Sequence, residues 1–138
     1  MARAQSRRAA GRTKGKIGRQ PMPAAVLYLR IDFGEGSALG PGKARLMELI
    51  AETGSISAAG RAMGMSYRRA WLLVDSLNAA FGAPLVAKQT GGSGGGGAVL
   101  TRLGRDVVAR YSRIERRAAT AGRTDIAALA AALAPAPG

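Results

Sequence analysis

Four consecutive polar residues, Ser66, Tyr67, Arg68 and Arg69, precede Ala70, Leu73, Leu77 and Phe81, an apolar stripe with the three- and four-residue steps of a helix face. A guanidinium presents a fork of donors that matches the O6 and N7 acceptors of guanine, while serine and tyrosine hydroxyls hold a phosphate oxygen or a base edge. Two more hydroxyls, Ser55 and Ser57, lie upstream, and two more cations, Lys88 and Arg102, lie downstream. These eight side chains supply hydrogen-bond donors and positive charge. Their chemistry is the holding of a phosphate-bearing polymer.

Bond-making chemistry has little to work with. The chain has no cysteine and no histidine, which removes disulfides, thiolate and imidazole metal ligands, thiol nucleophiles and imidazole acid–base catalysis. Its eight acids are scattered singly, so no paired carboxylates suggest a hydrolytic site. The sequence therefore predicts a protein that is not an enzyme and that carries no metal or cofactor. The formal net charge is +13. Arg3, Arg7, Arg8, Arg12, Lys14, Lys16 and Arg19 fall in the first twenty residues with no acid among them, and the remainder is still about +6. A surplus of this size favours a polyanion through counterion release, and it also serves solubility. No apolar run approaches the ~18 residues of a membrane span, and the basic N-terminus lacks the apolar core of a secretory signal, so a bacterial cytoplasmic, nucleoid-associated location and no membrane partner are expected.

The elements that must position these residues follow from periodicity. Residues 1–23 have none and are expected to be a disordered, flexible basic tail. Leu27, Leu29, Ile31 and Phe33 alternate with Val26, Tyr28, Arg30 and Asp32, the pattern of a strand with one buried face, closed by Gly34-Glu35-Gly36-Ser37. Pro41 suits the first turn of a helix whose inner face is Ala44, Met47, Ile50 and Ala51, with Gly54 ending it. A very short helix is expected from about Ser57, as its N-cap, to Met63, with Gly64 as the left-handed stop. Ser66 then caps the next helix, and two helices joined by Met63-Gly64-Met65-Ser66 make a helix-turn-helix.

Downstream, Pro84 to Thr90 and Ala98-Val99-Leu100-Thr101 read as two extended arms around the glycine run Gly91–Gly97, interrupted only by Ser93. The run lacks the Gly-Lys-Ser/Thr of a phosphate-binding loop, and its G-x-G-x-x-G match from Gly92 to Gly97 has no helix after it. A Gly/Ser run can be a plain linker. Flanked by strands, it reads better as the tip of a β-wing, with Lys88 and Arg102 near its base. The N-terminal strand is expected to pair with this wing. A last helix begins near Thr101 and carries Leu103, Val107, Tyr111, Ile114 and Ala118 on one stripe, and Gly122 breaks it before a short apolar segment, Ile126 to Leu133, and a Pro-rich end. Trp71 is expected at the core or its border, since a stacking platform for single strands would need further aromatics.

At this point the sequence resembles a known family. Gly54-Ser55-Ile56-Ser57-Ala58-Ala59, Met65-Ser66-Tyr67-Arg68-Arg69-Ala70-Trp71 and the stretch from Thr90 to Thr101, with its glycine tip followed by Ala-Val-Leu-Thr, are similar to the N-terminal domain of the molybdate-responsive ModE regulators. The general outline also resembles the DNA-binding domain of LysR-type regulators. The resemblance covers about residues 24–118 and implies a mainly α fold with a small β-wing, a winged helix-turn-helix. It implies a homodimer joined partly through the last helix, for which Leu103, Val107, Tyr111 and Ile114 are the candidates. ModE proteins usually continue into β-rich molybdate-binding domains. This sequence reads after Thr101 as helix and a Pro-rich tail, so the expectation is a DNA-binding unit at 24–121, a short apolar helix and tail at 122–138, and no small-molecule ligand bound by this chain alone.

In such a motif the N-terminal residues of the second helix enter the major groove and the first helix crosses the backbone. Ser66, Tyr67, Arg68 and Arg69 are thus the candidate groove readers, and Ser55, Ser57, Lys88 and Arg102 the candidate phosphate contacts. The function expected is sequence-specific regulation of transcription on double-stranded DNA. The alternatives are an architectural DNA-binding protein of low specificity, for which the basic tail argues, and a protein-binding adaptor on the same fold.

Overall fold

A computed structural model of the chain describes residues 25–89 and 97–135, so the expected basic tail and the tip of the glycine run lie outside the described residues. The elements are β1 (Ile31–Gly34), β2 (Ser37–Leu39), α1 (Pro41–Thr53), α2 (Ile56–Ala62), α3 (Tyr67–Ala80), β3 (Val86–Gln89), β4 (Gly97–Leu100), α4 (Arg102–Ala121) and α5 (Arg123–Ala131). The architecture is a winged helix-turn-helix, mainly helical with a small antiparallel wing. None of the described helices is long and apolar enough to cross a membrane.

Local chemistry explains the boundaries. Pro41 opens α1, and Gly54, at φ 71°, ends it with its N–H donating to the Ile50 carbonyl at 2.8 Å. Ser55 then caps α2, its hydroxyl accepting from Ala58 N–H at 3.0 Å. The turn into α3 rests on Gly64 at φ 71° and on Met65 N–H, which reaches the Gly60 carbonyl at 3.0 Å. At Gly60 the two helices cross so closely that a Cβ would stand 2.9 Å from the Ala70 Cβ. Ser66 caps α3 through Arg69 N–H, and Thr101 caps α4 through Gly104 N–H.

One apolar cluster unites the helices with the wing. Leu46, Met47 and Ile50 of α1, Val74 and Leu77 of α3, and Leu85 are fully enclosed, and Ile56, Ala59, Ala70, Val86, Ala98, Leu100, Val107 and Tyr111 complete the cluster. The wing strands pair with Val86 opposite Leu100 and Gln89 opposite Gly97. Asn78 fastens β3 to α3: its carboxamide oxygen accepts from Leu85 and Val86 N–H at 2.8 and 3.0 Å, and its nitrogen donates to the Val86 carbonyl. Ala98 N–H donates to the Gly54 carbonyl at 2.8 Å and fastens β4 to the end of α1.

The N-terminal strand is placed differently from the sequence expectation. Residues 25–30 form no strand, although Leu27, Leu29 and Ile31 are more covered than their alternating neighbours. The short strand that does form pairs with Ser37–Leu39 and not with the wing. Gly34, Glu35 and Gly36 all take positive φ, which reverses the chain at once and brings in a partner from its own continuation. The lead-in is tied to α4, where Tyr111 Oη donates to the Leu29 carbonyl at 2.6 Å. The α2 cap is Ser55 rather than Ser57. Ala51 is exposed, and Leu46, Leu49 and Val74 take core positions that the three-and-four stripe passed over.

Candidate nucleic-acid interface

The helix pair puts Ser66, Tyr67, Arg68 and Arg69 together at one exposed end of α3. The Ser66 hydroxyl accepts from Arg69 N–H at 3.1 Å, which leaves its own proton to donate to another group. Among the described residues neither arginine has a carboxylate partner; the ion pairs found are Arg45 with Glu48 and Glu52, and Arg110 with Asp106. Each guanidinium therefore keeps its full set of donors for a ligand.

Beside this end lies a recess of about 260 Å³ between α2, α3 and the wing. Ser55, Ser57, Tyr67, Trp71 and Lys88 line it, and no acid does. Two of its hydroxyl oxygens are already occupied as acceptors, Ser55 by Ala58 N–H and Ser57 by the Arg61 guanidinium at 2.9 Å. A hydroxyl that accepts from its own fold has its proton left to donate outward. The lining is thus a set of donors around one ammonium, the polarity that an oxyanion requires.

Trp71 organises this recess. Its ring lies edge-on to Tyr67, with centroids 6.1 Å apart at 70°, and the Lys88 ammonium stands 4.7 Å from its centre. The wing lysine is therefore parked over α3 by a cation–π contact, worth about 0.5–1 kcal/mol at a partly exposed site. The indole Nε1–H is sealed from solvent and has no hydrogen-bond partner among the described residues. Trp71 packs against the core while its ring borders the recess, the border position expected for it.

The remaining candidates separate. Arg102 is exposed at the start of α4 and does not line the recess. Of the stripe on α4, Val107 and Tyr111 are buried in the chain's own core, Leu103 packs against that core, and Ile114 is 43% exposed. Burial, together with the nearby Glu115 carboxylate, pushes the Tyr111 phenol up to about 12. The last helix thus serves the monomer over its first three turns and projects apolar surface only beyond them. α5 buries none of its residues, and Leu129 is 71% exposed. Among the described residues no cluster of carboxylates gathers as a metal cage would need. Asn78 and the Lys88–Trp71 contact escaped the sequence reading, because neither carries a local motif.

Comparison with known proteins agrees with this geometry. Residues 42–105 match the model of the bacterial regulatory helix-turn-helix protein, lysR family. The chain is 45% identical over 80 residues to the molybdenum-pterin-binding protein MopB of Rhodobacter capsulatus, a match covering 58% of this chain and 30% of MopB. It is 39% identical over 87 residues to the molybdenum transport protein ModE of Azotobacter vinelandii, covering 63% and 32% of the two chains. It is 42% identical over 71 residues to the DNA-binding transcriptional dual regulator ModE of Escherichia coli K12, covering 51% and 27%. The matched region thus spans about a third of the length of these curated relatives. In fold, the chain is similar to the protein of the CbnR_DBD–DNA complex crystal structure, with a TM-score of 0.51 and 23% identity over 64% of this chain and 95% of that one.

Proposed function

We propose that this chain, which carries a winged helix-turn-helix domain of the ModE and LysR kind, is a DNA-binding regulator of transcription that recognises a specific operator as a homodimer. The observation that carries the proposal is the acid-free recess joined to the exposed head of α3, where Tyr67 and Lys88 converge with the serines of α2. Arg68 and Arg69 enter the major groove, with Ser66 and Tyr67 beside them. Ser55, Ser57 and Lys88 hold the backbone, and Arg102 adds charge at the wing base. Residues 24–121 form the DNA-binding unit, with 122–138 as an appendage, working in the cytoplasm.

Dimerisation is supported by the apolar surface left on the second half of α4 and on α5, namely Ile114 and Leu129. A two-fold protein reads a two-fold operator, with half-sites about 10 bp apart or a multiple of that spacing. Selection of bound duplexes from a random pool, followed by sequencing, tests the reading. A palindromic consensus is the expected result. Shapeless enrichment would favour an architectural role, and no retention would favour an adaptor.

A further inference from the structure

We propose that a second recess, on the opposite flank of α3, is a phosphate clamp that seats the DNA backbone across the major groove from the wing. It rests on the DNA-binding reading above and adds to it a part of the chain that the matched segment 42–105 does not include, the β1–β2 hairpin and Arg30 just before it.

This recess encloses about 410 Å³ between the hairpin, the first turn of α1 and the turn of the helix pair. Arg30, Lys43 and Arg69 line it together with the apolar Met63, Met65 and Leu73, and no acid does. Arg30 and Arg69 have no ion pair among the described residues, and both are exposed. The stem of Arg30 lies along Gly40, where a Cβ would meet its Cβ and Cγ at 3.9 Å, so the guanidinium is held near the recess. Lys43 is fixed by its bonds to the Ala38 carbonyl at 3.1 Å and to Ser76 Oγ at 3.3 Å, which leaves one ammonium proton for a ligand. Asp32, the acid nearest in sequence to Arg30, is engaged by Gly34 N–H at 2.9 Å in its own turn. Three cations gathered around one hollow without a counter-charge repel each other until an anion joins them.

The position on α3 identifies that anion. Successive helix residues are turned by about 100°, so Trp71, in the wing-side recess, and Leu73, in this one, point about 200° apart. Arg68, which lines neither, lies on the exposed arc between them. A helix in the ~12 Å major groove has a phosphate wall on each side. With the wing-side recess on one wall, Arg30, Lys43 and Arg69 face the other.

The test is salt-dependent binding to the selected duplex by the full chain, with phosphate-ethylation interference on each strand. Arg30→Ala should lower the slope of log K against log salt by about 0.9 and weaken binding about eightfold at 0.1 M salt, equally for specific and non-specific duplexes. Arg30→Lys should restore the slope. Interference lost in Arg30→Ala should map across the groove from that lost in Lys88→Ala. Equal thermal unfolding of the variants and the parent excludes a folding effect. If Lys88→Ala changes the slope and Arg30→Ala changes neither slope nor interference, the second clamp is overturned and the DNA reading stands. If the parent chain shows no salt-dependent binding to any duplex, both fall.

Discussion

Gly104→Ala is the substitution that most directly tests how the wing is mounted. Gly104 lies in the first turn of α4, directly under the chain that leads into β3. A Cβ there would overlap the Leu85 carbonyl oxygen and stand 3.0 Å from the carbonyl carbon and 3.3 Å from Leu85 Cα. Relief requires backbone to move, since no flexible side chain is involved. The same carbonyl accepts from Thr101 N–H at 2.9 Å and from Thr101 Oγ1 at 3.3 Å, so parting α4 from Leu85 breaks these bonds. Overpacking costs about 1–3 kcal/mol and a lost hydrogen bond about 1 kcal/mol, against a helix-propensity gain from alanine of about 1 kcal/mol. The net loss is about 1–3 kcal/mol, which for a domain of this size lowers the unfolding midpoint by roughly 4 °C per kcal/mol or more. Because Leu85 precedes β3, Lys88 shifts with it, and DNA affinity should fall beyond what unfolding explains. Thermal and urea unfolding with duplex binding at a temperature where both proteins are folded provide the assay. A Gly104→Ala protein as stable as the parent would refute the packing argument.

Arg68→Ala should cost about 1–3 kcal/mol of operator binding and relax specificity at one symmetric pair of positions, as read by repeating the duplex selection, whereas Arg69→Ala, if that side chain holds phosphate as the second clamp requires, should weaken all duplexes alike. Ile114→Asp should shift the sedimentation equilibrium toward monomer and weaken operator binding, while leaving unfolding nearly unchanged, because Ile114 is 43% exposed. Tyr111→Phe should cost about 1 kcal/mol through the unpaired Leu29 carbonyl, measured by urea unfolding. With the phenol raised from 10 to about 12 in the fold, the neutral form is the one stabilised; this contribution is complete below pH 10 and disappears as pH rises toward 12, visible as late phenolate absorbance accompanying unfolding.

What was legible in the sequence was whatever chain-local physics decides. The cap Ser66, the stops Gly54 and Gly64, the start of the last helix near Thr101 and the apolar steps Ala70 to Leu77 each act within one or two turns, and the structure has them where the pattern put them. The candidate site gathered for the same reason: Tyr67 and the two arginines share one helix end, and Ser55 and Ser57 share the preceding one. The partner of the N-terminal strand was not legible, since alternation specifies a covered face and says nothing about which edge pairs. Three positive-φ residues decided it locally, in favour of Ser37–Leu39. The division of labour along α4 was hidden as well. A stripe at helical spacing looks alike whether it meets its own core, as Val107 and Tyr111 do, or projects from it, as Ile114 does.

The mounting of the wing shows how a glycine-rich hairpin can take part in a defined interface. Two strands of four residues are too short to hold a geometry by their own ladder. Here the wing base is bonded to three different helices: to α3 through Asn78, to the end of α1 through Ala98 N–H and the Gly54 carbonyl, and to the start of α4 through Thr101 Oγ1, which donates to the Pro84 carbonyl at 2.8 Å. Val86, Ala98 and Leu100 add buried surface from the strands themselves. These attachments all involve residues outside the tip. Lys88 stands on a strand fastened at its base, with its ammonium 4.7 Å from the centre of the Trp71 ring.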